Sequence, residues 1–292
     1  MIKYLLITAI IILTLQSCYK SKVVDLTPQP NTPTNTVADS IYLSKVETVV
    51  YDNATNALTD SSIYFFTYDN LKRVTKYGGI DYNVSPQPNY VYFFYNGSNV
   101  NPYKDSINAV TDIYIHYYNY NAANKLTYDS FISKDLSGVN MQTLIYKYTY
   151  SGNKIYTQTS TSSASYNTLD TATLDANGNI IDQLRWVGYL PPVSPAKVYV
   201  MNYNYDAKKN PYFNVNVRNT SVFMSDGILS SSAITPNNTL SGSMIDYSGV
   251  VPTNATLNVT LSYNANNYPK QSTEIETSNN AKTVYKYSYI AL

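Results

Sequence analysis

Tyr68-Asp69-Asn70-Leu71-Lys72-Arg73-Val74-Thr75-Lys76 carries the plan of the whole chain in one short stretch. An aromatic-rich run ends at Tyr68, a polar turn follows, and a second extended run leaves on its far side. Asp and Asn tolerate the left-handed backbone that tight turns need, so the stretch reads as two strands joined by a hairpin connection. The same unit opens at Tyr51-Asp52-Asn53 and returns at Tyr95-Asn96-Gly97, Tyr120-Asn121-Ala122, Tyr150-Ser151-Gly152 and Leu174-Asp175-Ala176-Asn177-Gly178. Tyr205-Asp206-Ala207 and Tyr263-Asn264-Ala265 complete the set.

The flanks are strands because their polarity has period two. In Leu257-Asn258-Val259-Thr260-Leu261-Ser262-Tyr263 apolar and polar residues alternate strictly, the mark of a half-buried strand. Tyr146, Tyr148 and Tyr150 share one face of their run, as do Tyr285, Tyr287 and Tyr289 of theirs. The expected fold is all-β: an antiparallel β-meander of these hairpins forming a large twisted or curled sheet, without a deep dry core. Phe65, Phe66, Phe93, Phe94, Leu257 and Leu261 are the expected core. Alternation fails between residues 212 and 232, where a short helix or irregular excursion is expected, and Pro86-Gln87-Pro88 and Pro191-Pro192-Val193-Ser194-Pro195 read as loops.

Composition supports such a sheet. The chain holds 33 Tyr against 7 Phe and 1 Trp, and a tyrosine ring covers apolar area while its hydroxyl stays hydrated. Net charge is +1, from 20 basic and 19 acidic residues. That balance leaves no basic footprint for nucleic acid, which is not expected as a partner.

The N-terminus adds a targeting segment. Lys3 precedes an apolar run from Tyr4 to Leu15, long enough for a signal peptide and short of the roughly 20 residues of a membrane span. It ends in Leu15-Gln16-Ser17-Cys18, which resembles the lipobox of bacterial lipoproteins. The resemblance implies cleavage before Cys18, lipid on its sulfur and a further acyl chain on its new amino group, each buried CH₂ contributing about 0.8 kcal/mol. Residues 1–17 are then a signal peptide, 18–40 the lipidated Cys with a Thr/Pro-rich tether, and 41–292 a single Tyr-rich β-repeat domain. The expected partner is the membrane, through the lipid on Cys18, in the cell envelope and by resemblance at the outer membrane. The side it faces is left open, because Lys20 and Lys22 precede the first acidic residue, Asp25.

The hairpin around Tyr68 resembles a YD repeat, the Tyr-Asp unit of Rhs-type proteins, with Lys72 standing where that pattern usually has Gly. Together with the lipobox, the tether, Lys209-Asn210-Pro211 and the closing Tyr263…Tyr268-Pro269-Lys270…Tyr285-Lys286-Tyr287 hairpin, it resembles uncharacterised Bacteroidota envelope lipoproteins. That family implies an envelope location and a β-meander, and it supplies no catalytic residues.

Few chemistries fit the residue inventory. His116 is the single histidine. It reads as an outward or Tyr-facing strand residue, since no G-x-S-x-G elbow accompanies it. No cofactor is expected, and zinc lacks the His and Cys ligands it needs. Glu274 and Glu276 share a strand face and read as the solvated side of an edge strand; enclosed in a cleft they would suit glycoside hydrolysis. Asp175-Ala176-Asn177-Gly178-Asn179 reads as a hairpin turn rather than a calcium loop. Asp39-Ser40-Ile41, Asp105-Ser106-Ile107 and Asp170-Thr171-Ala172 resemble a short O-glycosylation acceptor pattern of Bacteroidota. Trp186 and Tyr189, beside the Pro-rich loop, are the candidate ligand-facing aromatics, stacking on sugar rings if exposed and packing under the loop if not. The reading is a non-enzymatic envelope lipoprotein, a platform for a glycan or envelope protein. The alternatives are a carboxylate-based glycan hydrolase and a carrier of a lipid or apolar ligand. An outer-membrane barrel fits poorly, because Lys and Asn occupy faces that would meet lipid.

Overall fold

The computed structural model describes residues 41–292 apart from 84, 110–111, 162–165, 190–195, 221–234 and 279. The signal segment, Cys18, the tether and the Pro191–Pro195 loop lie outside the described residues. Among the described residues every regular element but one is a strand. The first four are β1 (Ile41–Asp52), β2 (Leu58–Tyr68), β3 (Val74–Asp81) and β4 (Ser85–Phe94). Then come β5 (Lys104–Asn108), β6 (Asp112–Tyr120), β7 (Leu126–Asp135) and β8 (Asn140–Ser151). The chain continues through β9 (Lys154–Thr161), β10 (Tyr166–Leu174), β11 (Ile180–Tyr189) and β12 (Ala196–Lys209). It ends with β13 (Asn237–Asp246), β14 (Thr253–Tyr263), β15 (Pro269–Glu276) and β16 (Ala281–Ala291).

Each strand pairs antiparallel with its chain neighbours, and β16 returns to pair with β1, so the meander closes into a barrel. This corrects the expectation of a twisted or curled open sheet. The closing register runs from Ile41 opposite Ala291 to Asp52 opposite Ala281. It places Leu43 and Val46 beside Tyr289 and Tyr287, all on the inner side. Closure removes both unpaired edges, which an open sheet of this size would leave to aggregate.

Period two sorts the walls. In β2, Phe66 is 6% exposed and Phe65 is 46% exposed; in β4, Phe93 is 5% and Phe94 is 39%. Adjacent residues of a strand point to opposite faces, so only one member of each Phe pair can enter the interior. Phe66, Phe93 and Leu257 are core as expected, whereas Phe65 and Phe94 lie on the outer wall. The interior is packed rather than hollow around these residues. One cluster joins Leu43, Phe66, Val91, Tyr199, Met201 and Leu257 across the barrel, and a second gathers Tyr114, Tyr118, Leu126, Phe131, Tyr146 and Tyr148.

Four of the repeated turns share one geometry. Asp69 Oδ1 accepts from the backbone N–H of Leu71 and of Arg73, both at 2.9 Å. Asn121, Asp175 and Asn264 each accept from the residues two and four further on in the same way. The third residue after each Asx is left-handed: Lys72, Asn124, Gly178 and Asn267. The tyrosine before the turn has its own task. Tyr68 donates its hydroxyl to the carbonyl of Leu43, and Tyr95 to that of Val74, both at 2.7 Å. Tyr150, Tyr205 and Tyr289 repeat this bond to Leu126, Ile180 and Pro269. In every case the acceptor stands at the start of the preceding strand. The hydroxyl thereby satisfies a backbone carbonyl where the ladder ends.

Residues 210–220 fold into the mouth at this end instead of forming a plain turn. The expected short helix does not form among the described residues; Asn216–Asn219 make a single 3-10 turn. Val215 and Val217 are fully buried, and Tyr212 packs edge-on against Phe66. Asn214 donates to the carbonyl of Ile41 at 2.8 Å, and Asn216 accepts from the N–H of Val74 at 2.9 Å and donates to the carbonyl of Val100 at 2.7 Å. The segment thus ties the start of β1 to the start of β3 across the opening. At the opposite end Pro86 to Pro88, expected as a loop, belong to β4. They occupy a break in its register with β3, between the Asp81–Ser85 and Gly79–Asn89 pairs, where no ladder donor is required.

Candidate functional site

Alternation sends the acidic side chains of β2 to β10 inward, and the packed interior must neutralise them. Asp105 of β5, His116 of β6 and Asp129 of β7 lie side by side, none more than 1% exposed. His116 Nδ1 stands 2.9 Å from Asp129 Oδ1, its ring is stacked on Tyr118, and Tyr118 donates its hydroxyl to Asp105. Burial pushes the Asp105 carboxyl up to about 6, against the pull of His116 and Tyr118. Burial acts to lower the His116 imidazolium, but the facing Asp129 and Asp105 outweigh it and raise its pKa. His116 is therefore inward and Tyr-facing, not outward, and its partner is a carboxylate on the adjacent strand.

A second interior pair joins Arg185 of β11 to Asp170 of β10 through two parallel bonds of 2.7 Å. The guanidinium also lies 5.0 Å from the Tyr199 ring centroid. Glu274 and Glu276 fall on the inner face of a closed barrel, Glu274 buried and Glu276 half-buried at the end of β15, which corrects the edge-strand reading, since a closed barrel has no edge strand. Glu274 is 7% exposed and lines a pocket with Tyr212, Asn238, Thr239, Ser272 and Tyr287. Its cavity volume is about 20 Å³, room for about one water molecule. It suits ordered water better than a sugar chain. Two of its side-chain oxygens, Asn238 Oδ1 and Thr239 Oγ1, make no protein hydrogen bond. Among the described residues no group of His, Cys, Asp and Glu is arranged to hold a metal.

The outer wall differs from one flank to the other. On β14 its residues are Asn254, Thr256, Asn258, Thr260 and Ser262, all polar and, by alternation, opposite the buried Ala255 and Leu257. On β2, β4 and β6 it presents Phe65, Tyr92, Phe94 and Tyr117, each 39–46% exposed. Trp186 stands on the outer wall, partly buried, in a row that runs through Tyr128, Lys147, Gln158 and the exposed Leu169. Tyr189 ends β11 with its backbone opposite Tyr166. Asp175-Ala176-Asn177-Gly178-Asn179 is the expected hairpin turn, held by Asp175. Ser106 and Thr171 lie within paired strands whose Asp105 and Asp170 are already committed inside the barrel. Cys18 and the Asp39-Ser40 pair lie outside the described residues. The outer aromatic flank went unnoticed in the sequence, although alternation alone separates it from the core.

No family model and no curated protein matches the sequence. Among solved structures, a porin-like protein from Bacteroides vulgatus ATCC 8482 superposes with a TM-score of 0.53 at 12% identity, over 86% of this chain and 99% of that one. A porin-like protein from Bacteroides uniformis ATCC 8492 gives a TM-score of 0.40 at 11% identity, over 89% of this chain and 99% of that one. At 12% identity the first likeness is one of fold, a large antiparallel β-barrel.

Proposed function

We propose that this chain is a non-enzymatic lipoprotein of the cell envelope, held on a membrane by acyl chains on Cys18, whose barrel stays outside the bilayer as a binding or structural platform. The supporting observation is the polarity of the two walls. A barrel that spans a membrane shows lipid an apolar band about 25 Å tall around its whole circumference. Here β14 shows the outside only Asn, Thr and Ser, with its apolar side chains pointing inward, and β16 sets Lys282 and Lys286 on its outer face with only Val284 and Ile290 as apolar neighbours. A Lys or Arg facing lipid at the bilayer midplane costs about 2–4 kcal/mol, which no apolar belt on these strands offsets. The Leu15-Gln16-Ser17-Cys18 pattern and the Thr/Pro tether supply the membrane attachment instead. The non-enzymatic part of the reading rests on how the carboxylates are used. Asp129 pairs with His116, Asp170 with Arg185, and Asp206 accepts from Asn238 and Tyr263. Glu274 sits under Tyr212 and Tyr287 rather than along an open cleft.

The test is to produce residues 18–292 with Cys18→Ser and purify them without detergent. The expected product is a soluble, β-rich protein that melts cooperatively, whereas the wild-type chain fractionates with membranes and carries acyl mass on its first residue. A Cys18→Ser protein that dissolves only in detergent, or stays in membranes through an alkaline wash, would refute the reading. Protease treatment of intact cells then decides the side: digestion places the barrel at the cell surface, and protection places it in the periplasm.

A further inference from the structure

The charges of strands β2 to β10 are sorted by face. Among their described residues, Asp60, Asp81, Asp105, Asp112, Asp129 and Asp170 all fall on the inner side of the alternation. Lys76, Lys104, Lys134, Lys147 and Lys154 all fall on the outer side. From β2 to β10 the outer side of the strands therefore carries positive charge and no carboxylate; Glu47 of β1 and Asp182 of β11 mark its two borders. The lysines are set among rings. Lys76 Nζ lies 3.5 Å from the Tyr90 ring centroid and 5.7 Å from that of Tyr92. Lys104 Nζ lies 5.1 Å from Phe94 and 5.7 Å from Tyr117. Ile63, Ile113, Ile115 and Ile132 fill the spaces between them on the same side.

We infer that this flank is a docking face for an anionic lipid surface. Amphipathic rings with interspersed lysines are the side-chain mixture that settles at a headgroup layer: the rings sit at the acyl boundary and the ammonium groups reach the phosphates. The absence of carboxylates removes the repulsion that would oppose contact. The opposite flank, with Asn202, Asn204, Ser241, Ser243 and the polar face of β14, is suited to water and leaves the barrel one preferred side. The chain before Ile41 permits the pose. At about 3.1 Å per residue, the rise of a Pro-rich linker, the 22 residues of 19–40 span at most roughly 70 Å, about twice the length of a ten-residue strand at about 3.3 Å per residue. A tether of that length lets the barrel lie on its flank beside its own anchor. The inference rests on the anchored reading for its biological setting, but the face is testable without the anchor.

The test uses the soluble Cys18→Ser protein and sedimentation with vesicles, either pure phosphatidylcholine or phosphatidylcholine containing phosphatidylglycerol. The expected result is binding to the phosphatidylglycerol vesicles that weakens as salt is raised, with little binding to pure phosphatidylcholine. Lys76→Glu with Lys104→Glu should weaken it at least ten-fold. Tyr92→Thr with Phe94→Thr, which keeps the charge, should weaken it as well, with the melting transition of each variant confirming its fold. Asn254→Asp with Asn258→Asp on the polar flank should leave it unchanged. The inference is overturned if neither vesicle is bound, if both are bound equally, if folded lysine variants bind like the parent, or if the protein takes an acidic polysaccharide and ignores the vesicles. None of these outcomes touches the anchored reading, which stands or falls on the acyl mass at Cys18.

Discussion

Lys72 holds a left-handed backbone, φ 62°, at the place where Gly178 sits in another copy of the same turn. A residue with a β-carbon carries a penalty of about 1–2 kcal/mol there, while glycine brings an unfolded-state entropy cost of roughly 0.5–1 kcal/mol. Lys72→Gly should therefore stabilise the barrel by about 0.5–1 kcal/mol, read as a higher urea midpoint with an unchanged slope. An unchanged or lower midpoint would show that the Lys72 side chain, 5.8 Å from the Tyr42 ring, does more than the backbone argument allows. A second residue-scale consequence concerns pH. Asp105 and His116 both have folded pKa values above their unfolded ones. Groups shifted upward support the fold below their unfolded values and lose that support as pH rises through the folded ones. The window opens near pH 4 for Asp105, passes about 6, and continues above 6.5 for His116. Asp52, Asp69 and Asp135 are shifted downward, so their contribution changes only at more acid pH. The expected outcome is a denaturation midpoint that falls between pH 5 and pH 8, with a shallower fall in Asp105→Asn. A midpoint that rises over that interval would mean the cluster does not govern it.

Strand β3 contains Gly78-Gly79, where the backbones of β2 and β4 approach closely. A β-carbon on Gly79 would lie 1.7 Å from the carbonyl oxygen of Ile63, and one on Gly78 would lie 2.1 Å from that of Asn89. Both obstacles are backbone, so neither can swing aside. Gly79→Ala should destabilise by at least the roughly 1–3 kcal/mol typical of overpacking, whereas Gly152→Ala, in an open turn, should cost less. Equal melting temperatures for the two variants would contradict the close approach. Nothing in the sequence separates these glycines from ordinary strand glycines, since the obstacles come from neighbouring strands. The hairpins themselves were legible because their causes are local: the Asx side chain that caps the turn, the left-handed third residue and the period of two. The same period also predicts that Phe65 and Phe66 face opposite ways, yet hydrophobicity alone placed both in the core. Asp129 as partner of His116 required the register of β6 against β7, which turn length and bulges set. Trp186 shares that limit: its neighbours Leu169 and Gln158 follow from register alone.

At the scale of the molecule the decisive event is the pairing of β1 with β16, two segments at opposite ends of the repeat domain. Neither strand carries a feature that names the other. What selects the match is that Val46, Thr48 and Val50 meet Tyr287, Tyr285 and Thr283 on one side of the wall while Glu47 meets Lys286 on the other. Any slip by one residue would turn these tyrosines into water and bring the charged residues into the core. Closure has a consequence for chain order. Ile41 and Ala291 are direct partners across the seam, so the ends of the domain are adjacent and a short linker can join them. The connection from β13 to β14 is a suitable place for new ends, since Val250 and Val251 are largely exposed and exposed loop tips tolerate cutting. A permuted domain that begins at Val251, runs through β16 into β1 and ends at Val250 keeps every strand pair of the barrel. It should fold to the same β-rich state and melt cooperatively within a few degrees of the parent, because only one loop and no ladder has changed. Deleting β16 from the ordinary chain should instead leave β1 and β15 as bare edges, with aggregation in place of a soluble monomer. If the permuted domain failed to fold while the β16 deletion stayed soluble and monomeric, the seam would not be what holds this meander shut.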